Sequence, residues 1–201
     1  MRAHFAYLTY VLRHKWFVFC ACRRLRVPLW RAVVHDWTKF LPSEWGPYVR
    51  TFYAPDGSKR YVESAEFATA WRHHQRRNPH HWQYWLITWD RGNTEPLRMP
   101  GTYAREMVAD WMGAGRAITG KLDTPAWYFK NRTAIQLHPE TRLQVQGILC
   151  SRELFETPLM DIEFLERLCV PVSPTAVTPP PDPVTAPAPP SPVRTSPSVP
   201  E

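Results

Sequence analysis

The sequence His35-Asp36-Trp37-Thr38-Lys39-Phe40 places an imidazole directly beside a carboxylate, and both groups are ligands of divalent metal ions. Adjacent residues of an α-helix point about 100° apart, so an ion shared by His35 and Asp36 has to lie against the flank of the helix. The remaining ligands must then come from neighbouring helices. This stretch therefore predicts several helices packed around a common metal site.

Further candidate ligands lie on segments with helical spacing. His14 continues an apolar stripe of the first predicted helix, and His74 continues another stripe further along the chain. Asp110 lies four positions after Glu106 among large apolar residues, where a carboxylate needs a metal ion or an arginine as its partner. The predicted metal ligands are His14, His35, Asp36, His74, His80, His81 and Asp110.

Each ligand candidate also has a purely structural interpretation. Taken alone, His14 is typical of a hydrogen-bonded core histidine, and Asp110 is typical of a salt bridge. His80 and His81 fit an aromatic surface beside Trp82. A shared site is favoured because several separate helices each direct a His or Asp inward, and each would otherwise need its own hydrogen-bonding partner.

Hydrophobic spacing and helix-terminal residues predict an all-α single bundle. The predicted helices cover residues 4–22, 28–40, 43–53, 63–77, 79–89, 103–118, 139–151 and 159–169, and no strand is expected. The GxxxxGK pattern at 115–121 lacks the following Ser or Thr and follows a helix, so it does not predict a phosphate-binding loop. Its glycines, together with Gly113, are expected to end the helix or to permit close packing.

Composition predicts one folded domain, residues 1–169, and a disordered Pro-rich tail, residues 170–201. The tail is expected to be inert, with binding to a proline-recognising partner as the alternative. The formal net charge is +7, and it is +8 without the tail, which holds only Asp182, Arg194 and Glu201. This balance favours anionic partners such as nucleotides, phosphate esters or nucleic acid.

Cysteine usage and hydropathy predict a cytoplasmic protein without a membrane partner. The four cysteines, Cys20, Cys22, Cys150 and Cys169, have neither zinc-site nor disulfide spacing and are expected to be free thiols. The apolar stretch 5–22 is interrupted by Arg13, His14 and Lys15, and charge is costly at the centre of a bilayer. It therefore predicts a soluble amphipathic helix.

The order of His14, His35-Asp36, His74, His80-His81 and Asp110 resembles the H…HD…H…H…D signature of the HD-domain superfamily, and Lys39 matches its HDxxK form. Those proteins are all-helical, and most are metal-dependent phosphohydrolases. The phrases HDWTKFLPSEWGPY, HHQRRNPHHWQYW and MVADWMGAG more closely resemble a family of uncharacterised phage and bacterial proteins, over about residues 5–145.

The resemblance implies one or two divalent ions, with Mn, Fe, Zn, Ni or Mg as candidates. A first ion would be held by His14, His35, Asp36 and Asp110. Asp36 would bridge to a second ion held by His74 and by either His80 or His81, and His81 is preferred because Trp85 lies one turn beyond it on the apolar side.

Metal-activated water attacking phosphorus is the chemistry that such a site predicts. Lys39 and Glu106 are the candidate catalytic residues, and Lys39 is also expected to bind the substrate. Arg76 and Arg77 are expected to clamp phosphate oxygens, although a solvated helix end explains them equally well.

The leading expectation is a phosphohydrolase that acts on a nucleotide or a related small phosphorylated substrate. The first alternative is an HD-fold di-iron oxygenase of a small substrate, which would use the same ligands. The second alternative is a basic, aromatic-rich nucleic-acid-binding module without catalysis, supported by Arg23-Arg24-Leu25-Arg26 and by residues 73–77.

Overall fold

The computed structural model describes residues 1–151 and 154–155 of the chain. In these residues the α-helices are α1 Arg2–Arg24, α2 Leu29–Val34, α3 Pro42–Phe52, α4 Ala65–Arg77, α5 Gly101–Thr119, α6 Thr124–Asn131 and α7 Pro139–Leu149. Two short 3-10 helices, Trp37–Phe40 and Trp82–Trp85, and an antiparallel pair of strands, β1 Leu86–Thr88 and β2 Thr94–Pro96, complete the fold. The prediction of a mostly helical chain is confirmed. The predicted helix 159–169 and the predicted tail 170–201 lie outside the described residues.

Helices α1 and α5 form the most extensive helix pair of the fold. Helix α1 turns a single stripe inward, because its buried residues recur at steps of three and four. They are Ala3, Tyr7, Val11, His14, Val18, Ala21 and Cys22. Helix α5 is buried around most of its circumference, since α1, α6 and α7 all pack against it. It is therefore the central helix.

The apolar core consists of two clusters that meet along α1. The larger cluster joins the second half of α1 to α5, α6 and α7, and the smaller cluster joins the first half of α1 to α3 and α4. Val18 belongs to the larger cluster and Val11 to the smaller one, and the buried His14 lies between them. A polar group therefore interrupts the core at the middle of α1.

The prediction that a helix spans residues 28–40 is wrong in its second half. Helix α2 ends at Val34, His35 leaves the helical conformation with φ −47° and ψ 129°, and Asp36 adopts the left-handed conformation with φ 54° and ψ 24°. Aspartate tolerates this region better than most residues. The carbonyl groups of Val33 and His35 accept hydrogen bonds from Lys15 Nζ of α1, which stabilises the end of the helix. His35 and Asp36 therefore lie on a turn.

The predicted helix 79–89 is also wrong, and so is the expectation that no strand is present. The Asn78 side chain donates to Thr38 Oγ1 and to the carbonyl of His74. The chain then forms the second 3-10 helix and the β1–β2 hairpin, which contains β-branched Ile87, Thr88 and Thr94. Gly92 has a positive φ of 84° in the hairpin turn. Helix α6 was not predicted.

The remaining fold-level predictions concern thiols and hydropathy. Cys20, Cys22 and Cys150 are free thiols, and burial raises the pKa of Cys22 to about 12. Cys169 lies outside the described residues. Among the helices of residues 1–151, none combines the length and the apolar character that crossing a bilayer requires.

A glycine sets the separation of α1 and α5, and its replacement gives the first testable prediction. A Cβ atom at Gly113 would lie 2.4 Å from Val18 Cγ2 and 2.7 Å from the Val18 backbone nitrogen. We expect Gly113→Ala to lower the free energy of unfolding by about 1–3 kcal/mol because the two helices must separate. Urea unfolding followed by circular dichroism measures this change.

Gly147→Ala in α7 is the matched control. A Cβ atom there meets nothing within 4 Å, so this variant should be neutral or should gain up to about 1 kcal/mol of helix propensity. Equal stability of the two variants would contradict the close approach of α1 and α5.

Candidate metal centre

The middle of the bundle holds a cluster of imidazole and carboxylate groups. The residues that it brings together are His14 of α1, His35 and Asp36 of the turn after α2, His74 of α4, His80 and His81 of the following loop, and Asp110 of α5. Six of them are buried, and Asp110 is the most exposed of these six at 4%. His81 is half-buried. All seven predicted ligands thus lie at one place, although their role as ligands stays a prediction.

The first group of potential ligands surrounds one oxygen each of Asp36 and Asp110. His14 Nε2 lies 3.2 Å from Asp36 Oδ2 and 3.2 Å from Asp110 Oδ1. His35 Nε2 lies 3.4 Å from Asp36 Oδ2 and 3.3 Å from Asp110 Oδ1. One donor atom from each of these four residues falls within 4.8 Å of the others, a spacing that one metal ion can occupy.

The second group surrounds the other oxygen of Asp36. Asp36 Oδ1 lies 3.4 Å from His74 Nε2 and 3.2 Å from His80 Nε2, and His81 supplies the fourth donor within the same 4.8 Å limit. Both His80 and His81 therefore belong to the group, so the geometry does not require a choice between them. Asp36 is the residue that the two groups share.

Unpaired atoms show that the cluster fits a cation. Asp36 Oδ1, His74 Nε2, His80 Nε2 and His81 Nε2 are all buried, and none has a hydrogen-bonding partner within the described residues. Buried polar atoms are rarely left in this state, because each forfeits its hydration. A metal ion bound between imidazole nitrogens and a carboxylate oxygen would satisfy these atoms together. The donor set thus fits a divalent metal.

A second carboxylate, Glu44 of α3, orients His74. Glu44 Oε2 accepts hydrogen bonds from His74 Nδ1 at 2.8 Å and from Thr38 Oγ1 at 3.1 Å. The Asn78 side chain donates to Thr38 Oγ1 at 2.9 Å. With its proton held on Nδ1, His74 presents a lone pair at Nε2 to the site. Carboxylates that bind the far nitrogen of an imidazole in this way fix its tautomer and raise its affinity for metal.

Glu106 of α5 has the same relation to two other histidines. Its Oε1 lies 3.1 Å from His35 Nδ1 and 3.4 Å from His80 Nδ1, and its Oε2 accepts from Arg31 Nε and Nη2, each at 2.6 Å. The Arg31 guanidinium also lies over the ring of Tyr103, 4.2 Å from its centroid. Both oxygens of Glu106 are therefore engaged. His35, His80 and Glu106 form a third possible ligand group that overlaps the other two.

Sequence reasoning missed Glu44 and Arg31 as members of the site. Glu44 precedes the buried Tyr48 and Phe52 at steps of four, so the spacing that indicated Asp110 also indicates Glu44. Arg31 gives no such signal, because it is flanked by apolar residues in a six-residue helix.

Charge interactions inside the cluster oppose the effects of burial. Burial alone would lower the pKa of His35, but the carboxylates of Asp36 and Asp110 raise it well above its ordinary value. Burial alone would raise the pKa of Asp36, but His35 and Lys39 hold it well below its ordinary value. For His81, burial and the adjacent His80 both lower the pKa. The carboxylate of Asp36 is therefore ionised, and His81 is a neutral donor.

The predicted catalytic and substrate-binding cations lie at different depths. Lys39 is 6% exposed, and its Nζ lies 2.9 Å from Asp36 Oδ2. Arg76 and Arg77 are exposed at the end of α4. Arg77 Nη1 lies 3.6 Å from Glu44 Oε1, so its guanidinium reaches the outer layer of the cluster. The structure thus brings Lys39 into the site, places Arg77 at its edge and leaves Arg76 on the surface.

Comparison with protein families gives one match, to the family of unknown function DUF5662, over residues 3–151. The chain belongs to this family. No curated protein and no solved structure matches it. The DUF5662 match covers the whole candidate metal centre, but the family description carries no activity. The chemistry of the site must therefore come from its own residues.

Metal content is the second testable prediction. We expect the purified DUF5662 protein, prepared without chelators or a polyhistidine tag, to contain divalent metal by mass spectrometry. Removing the metal should lower the melting temperature, because ligand at about 100 times its Kd stabilises by about 2.7 kcal/mol. That free energy corresponds to a shift on the order of 5–10 °C for a chain of this size.

Asp36→Asn tests whether that metal lies in the cluster. Asparagine keeps the size of the side chain and tolerates the left-handed backbone, so the variant removes mainly the charge. We expect it to lose the metal. Glu66→Gln, which removes an exposed carboxylate paired with Arg50, is the control and should keep it. Full metal content in Asp36→Asn would show that the ion is bound elsewhere.

The outer carboxylates give the third prediction. Glu44→Gln and Glu106→Gln should each weaken metal binding about 10–100-fold, because the imidazoles lose the acceptor that orients them. Isothermal titration of the metal-free protein measures the affinity. Unchanged affinity in both variants would mean that these carboxylates serve only packing.

Proposed function

We propose that this protein is a metal-dependent phosphohydrolase that acts on a nucleotide or a related phosphate ester through metal-activated water. The observation that carries the proposal is the sharing of Asp36 between two buried donor groups, His14–His35–Asp110 and His74–His80–His81. Two ions on either side of one carboxylate are typical of sites that cleave phosphate esters.

The donor chemistry supports transition metals. Five imidazoles and two carboxylates converge, and imidazole suits Zn, Fe and Ni better than it suits Mg. Mn also accepts such mixed ligands, so we rank Mn, Fe, Zn and Ni above Mg. A bound ion of this kind lowers the pKa of its water towards about 7 and so supplies hydroxide at neutral pH.

Lys39 and the outward side of the cluster would receive the phosphate group. Burial would lower the pKa of Lys39, but Asp36 raises it well above its ordinary value, so the ammonium stays charged at the site. His81 is the most exposed of the seven candidate ligands, and the exposed Arg77 contacts Glu44, the acceptor of the His74 hydrogen bond. An anionic substrate that approaches there meets Arg77 first and Lys39 at the centre.

The contacts of Glu106 favour a positioning role over the direct catalytic role expected from the sequence. Burial would raise its pKa, but hydrogen bonds with His35 and His80 hold it far below its ordinary value. A carboxylate with so low a pKa and with Arg31 on its other oxygen is a poor proton acceptor. We therefore assign Glu106 the orientation of His35 and His80.

The resemblance to the HD-domain superfamily supports the same conclusion. The ligand order of that signature is the order in which these residues occur in the chain, and the HDxxK lysine corresponds to the buried Lys39. We propose on this basis that the DUF5662 family, which we expect in phages and bacteria, is an HD-like group of phosphohydrolases.

Hydrolysis of generic phosphate esters is the fourth prediction. Full-length protein loaded in turn with Mn, Fe, Zn, Ni and Mg is assayed on p-nitrophenyl phosphate, bis-p-nitrophenyl phosphate and a panel of nucleotides. We expect cleavage of a phosphate ester with at least one metal. The activity of Asp36→Asn should be lower by about 100-fold or more. Glu66→Gln should retain full activity, since Glu66 is exposed and distant from the ligand set.

Two further measurements on the same protein preparations distinguish the alternatives. Iron-loaded protein that consumes oxygen without releasing phosphate would instead support the oxygenase, which the nitrogen-rich donor set also suits. Salt-sensitive nucleic-acid binding that survives metal removal, without any hydrolysis, would support the binding module. Absence of cleavage with every metal, or full activity in Asp36→Asn, would refute the phosphohydrolase.

A further inference from the structure

Helix α2 turns most of its apolar side chains to the solvent and its arginine to the interior of the protein. Its outward residues are Leu29, Trp30, Val33 and Val34, whose exposed fractions are 53%, 62%, 58% and 44%. Its inward side consists of Ala32 and of Arg31, whose guanidinium reaches Glu106. An isolated exposed leucine needs no explanation, but four adjacent large apolar residues on one short helix do.

Helix α1 extends this apolar surface. Lys15 of α1 donates to the carbonyl groups of Val33 and His35, so the flank of α1 beside Lys15 adjoins the end of α2. Leu12 lies on that flank, one turn before Lys15, and Trp16 follows Leu12 by one turn; they are 54% and 62% exposed. We call Leu12, Trp16, Leu29, Trp30, Val33 and Val34 the α2 face. Two half-exposed tryptophans and four aliphatic side chains make an exposed apolar surface, and the largest such surface of a protein is often functional.

The segment that carries the α2 face, residues 1–35, is basic. Residues 1–35 contain no Asp or Glu. Their basic residues are Arg2, Arg13, Lys15, Arg23, Arg24, Arg26 and Arg31. The occupant of the face should therefore combine apolar side chains with negative charge.

We propose that residues 156–169 of the same chain bind to the α2 face. This segment lies outside the described residues, and its sequence has the required composition. Its apolar residues include Leu159, Ile162, Leu165 and Leu168, and its charged residues are Glu156, Asp161, Glu163, Glu166 and Arg167, a net charge of −3. An acidic, apolar segment is complementary to a basic, apolar surface.

The point at which the described chain ends supports this occupant. Phe155 is 6% exposed in the larger core cluster, and the carbonyl of Leu154 accepts from Arg24 Nη2 at 3.2 Å. The described chain therefore ends beside the last turn of α1, and α2 begins five residues after Arg24. Four extended residues reach about 14 Å, and a helix over 159–169 would be about 16 Å long, enough to cover the six residues of α2.

A second copy of the chain is a poorer occupant. Two α2 faces brought together would oppose two acid-free basic surfaces, and like charges across an interface are unfavourable. The proposal does not depend on the reaction of the metal centre.

Hydrogen exchange of the full-length protein, followed by mass spectrometry, tests the proposal. The double variant Ile162→Asp/Leu165→Asp introduces two negative charges among the apolar residues of the segment 156–169. The control Val177→Asp/Val184→Asp makes the same change nearer the C-terminus. We expect the amides of residues 29–34 to exchange about tenfold faster in the first variant, because a helix that loses its cover opens more often, and to be unchanged in the control.

A variant of the α2 face itself and a dilution series complete the test. Trp30→Ala/Val33→Ala should accelerate exchange in residues 156–169 while the amides of α5 keep their wild-type rates, which shows that the fold is intact. Unchanged exchange of residues 29–34 in the segment variant would overturn the proposal. If dilution accelerates the exchange of residues 29–34 in the wild type and the segment variant does not, the occupant is a second copy. That result would also overturn the proposal.

Discussion

The buried carboxylate of Asp36 is the group on which the arrangement of this protein depends. It is 1% exposed, and an unpaired charge at that depth would cost more than a small domain can tolerate. Lys39 Nζ at 2.9 Å and His14 Nε2 at 3.2 Å stabilise its Oδ2, and its Oδ1 faces His80 Nε2 at 3.2 Å. These groups come from three different segments, so the requirement to neutralise one carboxylate constrains how those segments meet. The left-handed backbone of Asp36 is the local cost of directing it inward.

The side chains alone do not satisfy every polar atom of the cluster. His74 already holds a proton on Nδ1 for Glu44, so its Nε2 lone pair faces Asp36 Oδ1 at 3.4 Å, and two acceptors at that distance repel each other. Either a second proton or a metal ion has to lie between them. Burial would lower the pKa of His74, but Asp36 raises it, which favours the second proton when no metal is bound. A metal ion bound there would compete with this proton, so its binding would release protons.

Three of the seven predicted ligands could be found from helical spacing. His14, His74 and Asp110 lie on helices that the structure keeps, so their inward direction could be inferred from spacing alone. Asp36 was found from its neighbour and not from its geometry, because no pattern reveals that the helix stops at Val34. The helix expected over 79–89 was wrong, since Asn78 binds Thr38 and the carbonyl of His74, contacts that exist only after α4 has packed. Such contacts belong to the tertiary structure and leave no local signal.

The reversed polarity of α2 follows from the electrostatics of the candidate metal centre. Glu106 orients His35 and His80 through one oxygen, and its other oxygen needs a cation in the same buried region. Arg31 supplies that cation, which fixes the rotation of α2 about its axis. When Arg31 points inward in this helix of six residues, Leu29, Trp30, Val33 and Val34 lie on the solvent-exposed side. The charge requirement of the centre thus places an apolar surface on the outside of the protein, one helix away from the candidate ligands.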